Sequence, residues 1–119
     1  MRILHTSDWH LGRQFHHVSL LEDQRHVLEQ IVAIVRERCV EVVLVAGDIY
    51  DRSVPPAEAV QLLDEVVHRL SAECGVALIL IAGNHDGAER LGFGARQLAR
   101  AGVHIRGPLE PEPEPVLVL

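Results

Sequence analysis

An α/β fold built on a parallel sheet is predicted by three observations. Val42 to Ala46 and Val76 to Ala82 are apolar runs without polar alternation, the pattern of strands covered on both faces. Apolar residues between and around these runs recur at helical intervals, so strand and helix alternate in the rhythm of parallel crossovers. At the carboxyl end of each such strand a Gly or Ser is followed by polar, ligand-type residues, which is where open α/β sheets bind their ligands.

Taken in order, Ile3 to Thr6 reads as a short first strand leading into Ser7-Asp8-Trp9-His10-Leu11-Gly12. In an extended segment the spacing Asp8-x-His10 puts both side chains on one side. Arg13 to Val18 reads as a loop, with His16 and His17 in solvent. Ser19 and Glu22 have capping-box spacing, and Val27, Leu28, Ile31, Ile34 and Val35 mark a helix to about Arg38. The strand Val40 to Ala46 follows and ends in Gly47-Asp48-Ile49-Tyr50-Asp51. Pro55 and Pro56 open a second helix carrying Val60, Leu63, Val66, Val67 and Leu70, which Gly75 stops. The strand Val76 to Ala82 then ends in Gly83-Asn84-His85-Asp86. Leu91, Ala95, Leu98 and Ala99 suggest one glycine-weakened helix to about Arg100, and Val103 to Ile105 a fourth strand. Residues 107–115 alternate Pro and Glu as an extended connection, and Val116 to Leu119 begins another strand, so the chain reads as the N-terminal part of a longer domain.

At 119 residues and 48% hydrophobic content, the chain is one domain or part of one and is not disordered. No apolar run approaches the ~20 residues of a membrane span, and no signal-peptide pattern precedes the first strand, which points to the cytoplasm. Cys39 and Cys74 form neither a CxxC pair nor a disulfide framework and read as reduced, packed thiols. A formal charge of −6 argues against a surface that coats nucleic acid wholesale, although it does not exclude a nuclease.

Asp8 and His10, then Asp48, then Asn84 and His85 all follow parallel strands, so they are expected to converge at one rim of the sheet. Oxygen donors mixed with imidazole suit Mn, Fe or Zn rather than a thiolate site. Two such ions about 4 Å apart clamp the attacking and leaving oxygens of a phosphoryl transfer. Asp48, lying between the two groups of ligand types, is the natural bridge. Asp51 and Asp86 are expected to hold neighbouring backbone or ligating histidines in place. Trp9 reads as a packing residue or a base-stacking platform, Arg13 and Arg52 as phosphate contacts or solvated side chains, and His104 as a packed or surface residue.

Asp8-x-His10, Gly47-Asp48-x-x-Asp51 and Gly83-Asn84-His85-Asp86, in this order and at crossover spacing, resemble the calcineurin-like metallophosphoesterases over essentially the whole chain. Within that superfamily the stretches Ser7 to Gly12 and Gly47 to Asp51, followed by Pro55-Pro56, are most similar to bacterial DNA nuclease subunits. The resemblance implies an α/β sandwich of two sheets flanked by helices, with residues 1–119 as the N-terminal part of the nuclease domain. It implies two divalent ions, manganese foremost, with Asp8 and His10 binding the first, Asp48 bridging and Asn84 binding the second. His85 would be a proton donor or transition-state stabiliser beside the phosphate. Gly87 stands where such sequences often carry Ser, and the family's later histidines, one isolated and one Gly-His-x-His pair, do not occur before Leu119. The 119-residue chain alone is therefore expected to lack full activity.

As partners the resemblance implies DNA, in double-strand break and hairpin processing, repair and recombination, and an SMC-like ATPase subunit. It also implies a homodimer within a heterotetramer or larger complex, formed through the helices Pro56 to Leu70 and Leu91 to Arg100, for which ordinary packing on the sheet is an equal alternative. A phosphatase or cyclic-nucleotide phosphodiesterase of the same superfamily is the competing enzymatic reading. A non-catalytic dimerising fragment is the competing reading of another class.

Overall fold

The computed structural model describes residues 1–119 apart from Leu109 and Leu119. The elements run β1 (Ile3–Thr6), β2 (Gln14–Phe15), β3 (Val18–Ser19), α1 (Leu21–Glu37), β4 (Val42–Ala46) and α2 (Ala57–His68). A π-helical turn at Arg69–Glu73 continues α2, and β5 (Ala77–Ile81), α3 (Ala88–Leu91), α4 (Ala95–Ala99) and β6 (Val103–Arg106) follow. Four strands form one parallel sheet in the order β1-β4-β5-β6, with Ile3 opposite Val42, Val42 opposite Ala77 and Leu78 opposite Val103. Strands that neighbour in space as in sequence, joined by right-handed crossovers, put their helices on the same face. Accordingly α1 lies against α2 and its π-helical end, where Arg25 pairs with Glu65, and Arg36 with Glu73 at 3.0 Å.

The core forms between that helical layer and one side of the pleat. Val43, Val45, Leu78, Leu80 and Val103 meet Leu28, Val32 and Val35 of α1 and Leu62, Leu63, Val66 and Leu70 of the second helical segment. Each large apolar side chain buried in this way contributes about 1.5–3 kcal/mol. Most of the apolar stripe of α2 is therefore taken up by sheet packing, and Val60 is left 44% exposed. On the alternate side of the strands Leu44 and Ile79 are only half-buried and Ile3 and Ile81 are exposed. The unbroken apolar runs suggest cover on both faces, but only one face is fully covered among the described residues.

Local chemistry accounts for the other departures from expectation. The segment expected as a loop is a two-residue hairpin, with Gln14 opposite Ser19 and Phe15 opposite Val18. Its corner residues His16 and His17 both have positive φ (49° and 63°), as a type I′ turn requires, although neither is the Gly or Asn that usually signals one. That pairing draws Ser19 into β3, so Leu20 occupies the cap position of α1 and no capping box forms. The Ser19 hydroxyl still accepts the Leu21 N–H at 3.2 Å. Within α1 the buried stripe is Leu28, Val32 and Val35, while Val27 and Ile34 stay exposed at its edge. The single helix expected to end near Arg100 is split at Gly92-Phe93-Gly94, where Gly94 has φ +76°. Val116 to Val118 form no strand, and the expected strand's last residue, Leu119, lies outside the described residues.

Tyr50, the only tyrosine, reports on the packing of this fold. Burial, together with the nearby Asp86 and Asp64 carboxylates, pushes its phenol up to about 12. A folded-state value above the unfolded one of ~10 stabilises the fold below pH 10, and that contribution is lost as pH rises toward 12. The expected result is an alkaline loss on the order of 2 kcal/mol in that window. Tyrosinate absorbance, followed with denaturant midpoints, checks it, and a Tyr50 that titrates near 10 in the folded protein contradicts it.

Candidate metal centre

At the carboxyl ends of β1, β4 and β5 the backbone leaves extended geometry. Asp8, His10 and Asp48 have φ of 57°, 47° and 50°, so left-handed turns, rather than the alternation of a strand, set their side chains. For non-glycine residues this conformation costs about 1–3 kcal/mol each, and it persists only where surrounding contacts impose it. Here they do. Asp8 N–H donates to Gly47 O at 3.0 Å, His10 N–H to Asp48 O at 2.9 Å and Leu11 N–H to Ile49 O at 2.9 Å, zipping the first loop onto the second. Gln24 of α1 clamps the same loop, donating from Nε2 to His10 O at 2.8 Å and accepting the Gly12 N–H at 3.1 Å. The sequence reading missed Gln24, whose signal was a polar residue one turn before Leu28 on the buried stripe.

The side chains then meet. His10 Nε2 lies 3.6 Å from Asp8 Oδ1 and 3.9 Å from Asp48 Oδ2, and one donor atom from each of the three residues falls within 4.8 Å of the others. A second set at the same spacing joins His10, Asp51 and His85. The Ser7 hydroxyl donates to Asp8 Oδ2 at 2.6 Å, and this bond, with His10 adding to it, holds the Asp8 carboxyl below the usual carboxylate range. Behind His10, Asp51 Oδ1 stands 3.2 Å from Nδ1, off the line of a hydrogen bond, so that Nδ1 is buried without a formed partner. The same Asp51 oxygen pairs with Arg13 Nε at 3.2 Å.

Two glycines allow the loops to approach. A Cβ on Gly83 would fall 2.3 Å from Asp48 N, and one on Gly47 would fall 3.0 Å from Gly83 Cα. The adjoining turn is held by Asp86, the one buried charged residue among those described, whose carboxylate accepts N–H bonds from Ile49 (3.1 Å), Tyr50 (2.8 Å) and Gly83 (2.8 Å). Asp86 thus ties the β4 loop to the β5 loop. His85 donates its backbone N–H to Asp48 Oδ1 at 2.8 Å, its Nδ1 lies 3.2 Å from Asp51 O, and its ring meets that of His10 edge-on at 5.0 Å. Asn84 stands exposed at the rim and lines a cavity with Gly83, Ala88 and Arg106. The geometry therefore gathers Asp8, His10, Asp48, Asp51 and His85. Trp9 packs against the core and donates from Nε1 to Thr6 Oγ1 at 2.9 Å.

The sequence profile of the calcineurin-like phosphoesterases matches residues 1–113. The chain belongs to this family. Among curated relatives, it is 40% identical over 118 residues to the SbcD subunit of the nuclease SbcCD from Staphylococcus saprophyticus, covering 99% of this chain and 31% of that protein. It is 40% identical over 116 residues to the protein of the same name from Staphylococcus epidermidis, covering 98% of this chain and 31% of that one. The chain thus spans about a third of the length of these relatives. Calcineurin-like phosphoesterases use divalent metals, and the donors here fit such ions: two carboxylates and an imidazole share one small volume, and the far nitrogen of that imidazole faces a carboxylate.

Proposed function

We propose that this chain forms the N-terminal part of a metal-dependent phosphodiesterase that cleaves DNA as an exonuclease and endonuclease. The observation that carries this reading is the convergence of Asp8, His10 and Asp48 donor atoms within 4.8 Å at the strand ends, in a chain whose relatives are named as nuclease subunits. Two ions are proposed; the mixed oxygen and imidazole donors suit manganese, iron or zinc, and the resemblance to the family's nuclease subunits puts manganese foremost. Asp8 and His10 would hold one, Asp48 both, and Asn84 the other. When bound, such ions supply Lewis-acid stabilisation of the charge that develops on a phosphoryl group.

The chain's own side chains do the rest. Asp51 orients His10 from its Nδ1 side, keeping Nε2 toward the two aspartates. With His85 Nδ1 donating to Asp51 O, a protonated ring keeps its Nε2–H for a leaving oxygen. The proposed setting is the cytoplasm, in double-strand break and hairpin processing, repair and recombination. The proposed partners are an SMC-like ATPase (SbcC) and a second copy of the protein. The described elements contain no helix long and apolar enough to cross a membrane.

His85→Gln in the complete protein tests the assignment. Cleavage of single-stranded and hairpin DNA should fall about 10²- to 10⁴-fold while Mn²⁺ binding, read by electron paramagnetic resonance, stays intact. Loss of Mn²⁺ binding would make His85 a ligand alongside His10 and Asp51 and overturn its role as proton donor. A complete protein that hydrolyses p-nitrophenyl phosphate but leaves DNA intact would replace the nuclease reading with a phosphatase.

A further inference from the structure

Cys39 and Cys74 both read from the sequence as packed thiols, and the structure treats them differently. Cys74 packs against the core and is half-buried, whereas Cys39 is exposed. Cys39 also has φ +52°, at the residue that follows the C-cap of α1. Its N–H faces Arg36 O at 3.4 Å and the Val40 N–H donates to Val35 O at 3.0 Å, a Schellman ending in which glycine is the usual residue. After the π-helical turn the left-handed position is filled by Gly75, at φ +68°. Helix termination alone therefore does not call for a cysteine at position 39, because glycine would adopt that conformation without strain.

The topology brings the two thiols to one place. Val42 stands opposite Ala77 in the register of β4 and β5, and the Ala77 N–H donates to Glu41 O at 3.1 Å, carrying the pairing back toward the helix ends. Each cysteine comes three residues before its member of the Val42–Ala77 pair, so the two approach neighbouring strands in step. Neighbouring strands run about 4.8 Å apart, inside the ~4.4–6.8 Å between Cα atoms that a disulfide spans. Both cysteines line one cavity of about 740 Å³, together with Arg36, Glu41 and Glu73. Arg36 is held there by its pair with Glu73 at 3.0 Å, and Cys74, ahead of Glu73, holds the guanidinium above its ordinary pKa. A guanidinium in that position steadies negative charge on the Cys74 sulfur. The cavity lies at the amino-terminal ends of β4 and β5, opposite the metal centre, and both cysteines fall outside the helices proposed for contact with a second copy.

We propose that Cys39 and Cys74 form a redox modification site that closes to a disulfide in the presence of a hydroperoxide. The Cys74 thiolate attacks the terminal peroxide oxygen; the O–O bond breaks, Cys74 becomes a sulfenic acid, and the departing oxygen takes up a proton as an alcohol, or as water from hydrogen peroxide. The Cys39 thiolate then attacks the sulfenic sulfur; the S–S bond forms, the S–O bond breaks, and the hydroxide leaves as water once protonated. The pair gives up two electrons and two protons in all, and the hydroperoxide is reduced. The bridge fastens the end of α1 to the turn before β5 and restricts the unfolded chain between them. In a compartment that reduces thiols such a bond is transient and reports oxidant. The site stands independently of the metal reading.

The test treats the complete protein with hydrogen peroxide in EDTA and digests it with trypsin without reduction. Cleavage after Arg38, Arg52, Arg69 and Arg90 leaves each cysteine on its own peptide, residues 39–52 and residues 70–90. The expected result is a disulfide-linked pair of these two peptides that dithiothreitol separates, and an oxidised protein that melts about 5 °C or more above the reduced one. Cys39→Gly suits the left-handed position and so keeps the fold, and it should abolish both the linked pair and the rise on oxidation. Arg36→Gln should slow the linkage several-fold and Arg36→Lys should restore it. Recovery of the two peptides unlinked, whether unmodified or as sulfinic and sulfonic acids, would overturn the proposal, as would an equal rise on oxidation in Cys39→Gly. Linkage at the parental rate in Arg36→Gln would overturn Cys74 as the attacking thiol.

Discussion

Asp48→Asn is expected to lower metal-dependent phosphodiester hydrolysis by the complete protein on the order of 10⁴-fold, corresponding to about 5.4 kcal/mol of transition-state stabilisation. The two carboxylate oxygens of Asp48 face different partners. Oδ1 accepts the His85 N–H at 2.8 Å, and Oδ2 looks toward His10 Nε2 at 3.9 Å. An amide can keep the first contact with its oxygen, so the tie between the loops that follow β4 and β5 survives. Its NH₂ then falls on the side of His10 and Asp8, placing a donor and no charge where a cation is to bind. The variant should therefore melt within a few degrees of the parent and yet lose the Mn²⁺ binding proposed for this centre. An electron paramagnetic resonance titration reads that loss directly, without reference to turnover. Parental Mn²⁺ affinity in Asp48→Asn would remove Asp48 from the metal centre.

Most of the sheet was legible because the strands of a parallel sheet flanked by helices are apolar along their whole length. Val42 to Ala46 and Val76 to Ala82 have that character, and each is followed by the glycine that lets the next strand end come close. The residues of the candidate site were legible for the same reason: Asp8, His10, Asp48, Asn84 and His85 follow strands that the crossover rhythm places side by side. The manner of their convergence was not legible. Alternation along an extended chain predicted that Asp8 and His10 share a side, and they do meet, but through left-handed turns at both residues, imposed by the backbone bonds to Gly47 and Asp48. Nothing in an Asp or His announces positive φ, and the hairpin corner at His16-His17 was hidden for the same reason. Gln24 was hidden differently: helical periodicity marks where a side chain points, and only the fold reveals that three backbone groups of the Asp8-to-Gly12 loop wait there. The split between α3 and α4 was a matter of degree, since two glycines around Phe93 weaken a helix enough for tertiary contacts to break it.

The largest stability effect is expected at Gly83, where the penalty comes from space and not from backbone conformation. Its φ lies in the range any residue adopts, yet an added Cβ would sit 2.3 Å from Asp48 N and 2.5 Å from Asp48 Oδ1. The first of these is main chain and cannot swing aside. Relief requires the β4 and β5 ends to part, which pulls Gly83 N–H away from Asp86 and His85 N–H away from Asp48. Overpacking costs about 1–3 kcal/mol by itself. Each bond lost from a charged acceptor adds about 1.5–3 kcal/mol. Gly83→Ala should therefore cost about 4 kcal/mol or more, enough to lower the melting temperature of a domain this size by more than about 15 °C. Gly75→Ala separates crowding from conformational strain, because Gly75 has φ +68° but nothing within 4 Å of its added Cβ. That variant bears only the left-handed penalty of about 1–2 kcal/mol. Matched thermal melts of the two variants decide between the causes. If Gly83→Ala loses no more stability than Gly75→Ala, the close approach of Asp48 to Gly83 is not what shapes the metal centre.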